Sequence, residues 1–199
     1  MVNLIAHRRN SIESLLSTPT NFGVEIDLRW NREDGIYLAH DPGSEGVTFE
    51  NWLKQFNHQT LILNVKEDGL ESEISKMLSD LDIYNYFFLD QPFPTLLKSL
   101  AINIPCAVRI SEFELLPSKL PQSPKWIWVD SFTGDWSHLI LHLENLDYSN
   151  SSICLVSPEL QGRQNEDEIT MIKSIIEPYK DFKKISVCTK FPELWNSNE

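Results

Sequence analysis

The sequence predicts one closed α/β barrel, a compact (β/α)8 domain of the TIM type. Three observations predict it. Eight short apolar runs alternate with helical segments along the 199 residues, the pattern of parallel strands joined by helical crossovers. Eight is also the strand number that closes such a sheet on itself. Polar residues gather at the C-terminal ends of the runs, where barrel enzymes keep their active sites. An open doubly wound sheet is the competing arrangement. No glycine-rich fingerprint follows the first run, which argues against a dinucleotide fold.

Taken in order, Val2 to Ala6 is the first strand, ending abruptly in His7-Arg8-Arg9-Asn10-Ser11. Ser11 is placed to cap a helix over Ile12 to Leu16, and Thr18 to Asn21 makes a turn. The second strand begins at Phe22. A turn at Glu33-Asp34-Gly35 folds a short partner strand, Ile36 to Ala39, back onto it. Thr48 is a plausible cap for a helix over Phe49 to Phe56. Thr60 to Lys66 is the third barrel strand, followed by an amphipathic helix with Leu70, Ile74, Met77, Leu78 and Leu81 on one face. Tyr86 to Asp90 is the fourth strand, and Pro94 opens a helix to about Leu100. Pro105 to Ser111 is the fifth, with a helical turn expected over Glu112 to Leu116. Trp126 to Asp130, Ser152 to Pro158 and Lys184 to Thr189 complete the eight. Helices are expected from Trp136 to Leu146 and from Glu166 to Tyr179. His138 and His142 share a face of the first of these. With no acid between them and no third ligand nearby, they read as an exposed or half-buried helix face. No repeat, linker or low-complexity tract divides the chain, so residues 1–199 read as one domain.

Hydrophobic residues at 41% and charged residues at 23% are ordinary for a globular protein. The three cysteines, Cys106, Cys154 and Cys188, each sit in an apolar run and form no short-spaced metal or redox motif, so buried reduced thiols are expected. No stretch approaches the roughly 18 apolar residues of a membrane span, so no stable membrane insertion is expected. Met1 leads straight into an apolar strand without a charged leader, which points to a cytoplasmic location. Seventeen basic against 29 acidic residues give a net charge of −12, which repels nucleic acid backbones. A small anionic substrate remains compatible, because a local site can be positive on an acidic protein.

The chemistry concentrates in Phe22 to Asp41, FGVEIDLRWNREDGIYLAHD. Glu25 and Asp27 stand at alternate positions of an apolar β-branched run, so both carboxylates point from the same face of one strand, roughly 7 Å apart. A buried like-charged pair is costly unless a cation sits between its members. The hairpin then returns His40 towards the two acids.

These residues resemble the glycerophosphodiester phosphodiesterase family, within the wider phospholipase-C-like phosphodiesterase barrels. The resemblance rests on IAHRR (Ile5 to Arg9), Glu25-Ile26-Asp27, His40-Asp41, Asn64-Val65-Lys66 and Thr189-Lys190-Phe191-Pro192. It implies a metal-dependent hydrolase of a small soluble phosphodiester such as a glycerophosphodiester. By it, His7 and His40 would be the acid and base pair. Glu25, Asp27 and Asn64 would hold Mg²⁺ or Ca²⁺, and Arg8 and Lys66 would bind the phosphate. Arg109, near the end of the fifth strand, is a further candidate for the phosphate. Two histidines titrating near neutrality suit the proton steps, and a hard cation on carboxylates suits charge neutralisation at phosphorus. The nucleophile is either water or a substrate hydroxyl, the latter giving a cyclic phosphate.

The chain also departs from the family. The glycine that often follows His-Arg is Arg9, the usual third acid is Asn64, and the helical insertion before the third strand is missing. An amide supplies an oxygen to a hard cation but no charge. A barrel that binds a phosphorylated ligand without cleaving it is therefore the alternative. A third reading, cleavage of polymeric phosphodiesters, follows from the more open pocket.

Overall fold

The structure, a computed structural model, describes residues 2–144, 150–163, 166–179 and 184–196. Alternation along the strands decides the architecture. In β2 (Gly23–Asn31), Val24, Ile26 and Leu28 are fully buried in a large apolar cluster, while Glu25 and Asp27 face the other way, each only 1% exposed. The large cluster lies between strands and helices. A smaller one, with Ile5, Ile62, Phe87, Trp126, Trp128, Cys154 and Cys188, fills the interior of the barrel. Strands buried on both faces read as near-continuous apolar runs, as these do.

The barrel strands are β1 (Asn3–Ala6), β2, β4 (Leu61–Val65), β5 (Tyr86–Leu89), β6 (Ala107–Ile110), β7 (Trp126–Val129), β8 (Ser152–Val156) and β9 (Ile185–Thr189). Their spatial order is β5-β4-β2-β1-β9-β8-β7-β6, with every neighbouring pair parallel. The ends meet at a thin seam, where a parallel bridge links Phe88 to Cys106 and the Phe88 N–H donates to the Pro105 carbonyl at 2.9 Å. The barrel is thus nearly closed. Its floor is packed by Phe87 and Trp126, whose rings stack across the interior with centroids 4.5 Å apart.

The short partner strand β3 (Gly35–Leu38) pairs antiparallel with β2. Asn31 starts the turn by accepting the Glu33 and Asp34 N–H groups, and Gly35 supplies the positive φ of 69° that closes it. The helices are α1 (Ile12–Leu16), α2 (Phe49–Leu53), α3 (Glu71–Asp80), α4 (Phe93–Ala101), α5 (Ser137–Glu144) and α6 (Glu166–Ile176). Ser11 and Ser14 form the capping box of α1, and the Thr48 hydroxyl caps α2 through the Asn51 N–H.

Four expectations change. The helix after Thr48 ends at Leu53, and the following N–H groups turn back on the Trp52 and Leu53 carbonyls. No helical turn forms over Glu112 to Leu116. The Ser111 hydroxyl instead accepts the Phe113 and Glu114 N–H groups, bending the chain and leaving Phe113 and Leu115 exposed. The helix over Glu166 passes into a 3-10 turn at Glu177–Tyr179. His138 and His142 are both buried, because α5 lays that face on the barrel, where His138 Nε2 meets the Asp130 carbonyl at 2.7 Å. The part of the expected Trp136 to Leu146 helix beyond Glu144 lies outside the described residues. All three cysteines are buried and free.

Candidate active site at the C-terminal mouth of the barrel

Five inward rows of side chains continue, two residues on, into a polar group at the C-terminal end of the strand. Ile5 leads to His7, Glu25 to Asp27, Ile62 to Asn64 and then Lys66, Ala107 to Arg109, and Trp128 to Asp130. Period two therefore turns an apolar barrel core into a polar mouth without any special local structure.

Glu25 and Asp27 are held differently. The chain turns left-handed at Arg8 (φ 53°), which aims the Arg8 N–H at Glu25 Oε2, 2.8 Å away, while the Arg9 N–H donates to the Glu25 carbonyl. The positive φ falls on Arg8 and not on Arg9, so the absence of glycine at position 9 costs this turn nothing. His7 Nε2 lies 3.8 Å from Glu25 Oε2. Glu25 Oε1 is buried without a hydrogen-bond partner. Burial, and then the charge of Asp27, push the Glu25 carboxyl well above the usual carboxylate range.

Asp27 has a partner at each oxygen, an ion pair at Oδ1 and a hydrogen bond at Oδ2. Lys66 Nζ is 2.9 Å from Oδ1, Asn10 Nδ2 donates to Oδ2 at 2.8 Å, and Arg8 Nε stands 3.7 Å from Oδ2. Asn10 Oδ1 in turn accepts the Asp27 N–H at 2.9 Å. Burial alone would raise the Asp27 carboxyl, but the bonds from Lys66 and Asn10 outweigh it and hold the group below its ordinary value. One acid of the pair is thus kept ionised and the other is driven towards its neutral form.

Asn64 is the register partner of Asp27 on the neighbouring strand, and its Oδ1 is buried without a hydrogen-bond partner. Glu25, Asp27 and Asn64 are all hard oxygen donors, as Mg²⁺ and Ca²⁺ require. Three buried oxygens without a hydrogen-bond partner, Glu25 Oε1, Asn64 Oδ1 and Asp27 Oδ1 (the last ion-paired with Lys66), fit a cation position. Among the described residues no three His, Cys, Asp or Glu side chains converge as a metal group, so the amide is needed to complete the set.

His7 is half-buried beside Arg8, and desolvation, then the charge of Arg8, depress its imidazole, to about 3. It is neutral at physiological pH. His40 sits at the end of the hairpin, its Nδ1 2.7 Å from Asp41 Oδ1. Its carbonyl accepts from Arg29 Nε (3.2 Å) and Nη2 (2.8 Å), and Arg29 is anchored in turn on Glu67. The Ala39 N–H donates to the Asp27 carbonyl at 3.1 Å, which ties the hairpin to the acid strand. His40 and Arg8 line one cavity of about 550 Å³ between the β1–α1 loop and the hairpin.

Arg109 belongs to a separate cluster. It donates to Asp90 and, at 2.7 Å, to Asp130 Oδ2, with Glu114 at 3.9 Å. Gln161 also donates to both Asp130 oxygens. An anion at Arg109 would have to compete with these carboxylates for its charge. The structure therefore gathers His7, Arg8, Glu25, Asp27, Asn64 and Lys66, with His40 alongside Arg8, and holds Arg109 apart in its own ion pairs.

Sequence reasoning missed Asn10 and Asp41. Asn10 reads as a helix-cap residue, yet its amide carries both an acceptor for the Asp27 N–H and a donor for the Asp27 carboxylate. Its place three residues after His7, in the loop that follows the strand beside Glu25 and Asp27, was the available signal. Asp41 stood in the motif without a role.

No protein-family model and no curated protein matches the sequence. Solved structures do. One is a glycerophosphodiester phosphodiesterase from Agrobacterium tumefaciens str. C58, at 11% identity and a TM-score of 0.63, covering 98% of this chain and 97% of that one. Another, from Parabacteroides distasonis ATCC 8503, gives 14% identity and a TM-score of 0.68 over 96% of this chain and 94% of that one. A glycerophosphoryl diester phosphodiesterase from the same organism gives 12% and 0.54, covering 96% and 83%. Across nearly its whole length, this chain has the fold of the glycerophosphodiester phosphodiesterases.

Proposed function

We propose that the chain is a phosphoric diester hydrolase acting on a small soluble phosphodiester, such as a glycerophosphodiester, with a divalent cation held by Glu25, Asp27 and Asn64. The observation that carries this reading is the polar group of His7, Arg8, Glu25, Asp27, Asn64 and Lys66 at the mouth of a barrel shared with the phosphodiesterases above. Among the described residues no helix is long and apolar enough to cross a membrane.

A phosphodiester is a monoanion that repels an incoming oxygen. Arg8 and Lys66 are the cations nearest the acids, and they neutralise the non-bridging oxygens. The cation, when bound, adds Lewis-acid polarisation of the phosphoryl oxygen. His7, at the mouth with its Nε2 3.8 Å from Glu25 Oε2, takes the proton of the attacking hydroxyl. His40 returns a proton to the leaving oxygen, with its ring fixed by Asp41 and its backbone by Arg29.

The test is turnover of bis(p-nitrophenyl) phosphate and of glycerophosphodiesters, with and without chelator, in the wild type and in His7→Ala and His40→Ala. Each variant should lose about 10²–10⁴ in kcat, the usual worth of a general acid or base. Undiminished turnover in both variants would remove the acid and base roles. Calorimetry addresses the binding-only alternative: heat of phosphodiester binding with no product would identify a barrel that holds its ligand uncut.

A further inference from the structure

The two oxygens of Asp27 have partners of very different mobility. Oδ2 is held by Asn10, a short side chain locked in a reciprocal pair with the Asp27 backbone. Oδ1 is met by Lys66, whose ammonium stands 2.9 Å away at the end of a flexible stem and whose side chain is one-fifth exposed. Glu25 Oε1, two residues back on the same strand face, and Asn64 Oδ1, on the register partner of Asp27, are buried without a hydrogen-bond partner. The ammonium thus occupies one corner of a three-oxygen group and leaves the other two unmet.

We infer that Lys66 is a built-in competitor for the cation position, so that cation binding and phosphate binding are coupled through its side chain. This rests on the reading of Glu25, Asp27 and Asn64 as the cation-holding oxygens. An ammonium and a divalent cation repel one another too strongly to share Asp27 Oδ1 at contact distance, so the arriving cation releases Lys66. The Lys66 backbone is pinned by its N–H on the Leu28 carbonyl at 2.9 Å. The barrel interior below is filled by Ile62, Phe87 and their neighbours. The freed ammonium has only the solvent side of the mouth to move to, where a phosphate would lie. A phosphate that draws Lys66 outward vacates Asp27 Oδ1 in the same way. Thermodynamic linkage makes the two effects equal. Apo enzyme then keeps its buried acid neutralised, and the full set of charges assembles only when both ligands are present.

Titration calorimetry of Mg²⁺ into the wild type and into Lys66→Met, each with and without dimethyl phosphate, tests this. Removing the ammonium should tighten Mg²⁺ binding about tenfold, within the usual range of coupling between sites. Dimethyl phosphate should tighten Mg²⁺ binding in the wild type severalfold, and this gain should shrink in Lys66→Met to the part that direct contact of cation and phosphate supplies. Equal Mg²⁺ affinity in the two proteins, or the same gain in both, overturns the competition while leaving the cation site standing. No Mg²⁺ binding by either protein overturns the cation site and the competition with it. Lys66→Gln serves as a second variant should the first fold poorly. The wild-type arm needs no variant: a Mg²⁺ affinity indifferent to dimethyl phosphate is enough to reject the coupling.

Discussion

Asn10→Ala isolates the feature that sequence reasoning did not reach. Asn10 gives Asp27 Oδ2 a hydrogen bond at 2.8 Å and takes the Asp27 N–H at 2.9 Å, around a residue only 1% exposed. Truncation leaves a buried carboxylate oxygen and a buried amide without these partners. A hydrogen bond to a charged group is worth about 1.5–3 kcal/mol and a neutral one about 0.5–1.5 kcal/mol. Asn10 itself is half-buried, so water recovers part of the loss, and roughly 2–3 kcal/mol of stability should disappear. Urea denaturation at neutral pH reads the change directly. Asn10→Asp should cost more, because it keeps the acceptor, loses the donor and adds a second negative charge beside Asp27. A double-mutant cycle with Asp27→Asn should return a coupling of about 1–2 kcal/mol. Additive losses, or an Asn10→Ala variant within 0.5 kcal/mol of wild type, would show that Asn10 does not carry Asp27 and would refute the reasoning.

Two further outcomes are expected. Arg109→Met leaves Asp130, whose side chain is only 2% exposed, with Gln161 as its remaining side-chain donor. Breaking a buried pair costs about 3–5 kcal/mol, and partial exposure of Arg109 and Asp90 reduces this to roughly 2–3 kcal/mol. A variant of wild-type stability with a raised KM would instead make Arg109 a phosphate ligand. Glu112 is the second case. Burial would raise its carboxyl, but the Thr133 hydroxyl and the Phe132 and Thr133 N–H groups outweigh it and hold the group at about 2. Because the folded value lies below the unfolded one, its contribution is present above the ordinary glutamate range and is lost as pH falls towards 2. Carboxyl ¹³C shifts followed against pH should show the depressed midpoint, and Thr133→Val should move it upward. A midpoint near the ordinary value in the wild type would remove the tether.

Most of the fold was legible because its signals are local and periodic. Val24, Ile26 and Leu28 announce a strand and put Glu25 and Asp27 on the other face, and Ser11 and Thr48 announce helix starts. The errors fell where periodicity was absent. Nothing in Glu112 to Leu116 states that the Ser111 hydroxyl will take two backbone donors and bend the chain. His138 and His142 are polar in name, but one satisfied ring nitrogen let His138 lie buried against the barrel. At the site, the residue types were legible and their neutralisation was not. That the acids share a strand face follows from spacing. That Lys66 and Asn10 both converge on Asp27, while Glu25 keeps a bare oxygen, depends on contacts between β1, β2 and β4 that no spacing rule supplies.

This asymmetry explains how a protein can keep two acids in its core before any ligand arrives. If both were ionised without partners, their desolvation would exceed what a marginally stable domain can absorb. Asp27 escapes that cost because a lysine, an arginine and an amide reach it from two neighbouring strands. Glu25 is shifted towards its neutral form by burial and by Asp27, and accepts one backbone N–H from the left-handed turn at Arg8. The arrangement stabilises the empty fold, and it leaves the oxygens with no partner of their own, Glu25 Oε1 and Asn64 Oδ1, at the position where new positive charge gains most. A site fully satisfied in the empty protein would gain little from an incoming cation, and one wholly unsatisfied would not fold.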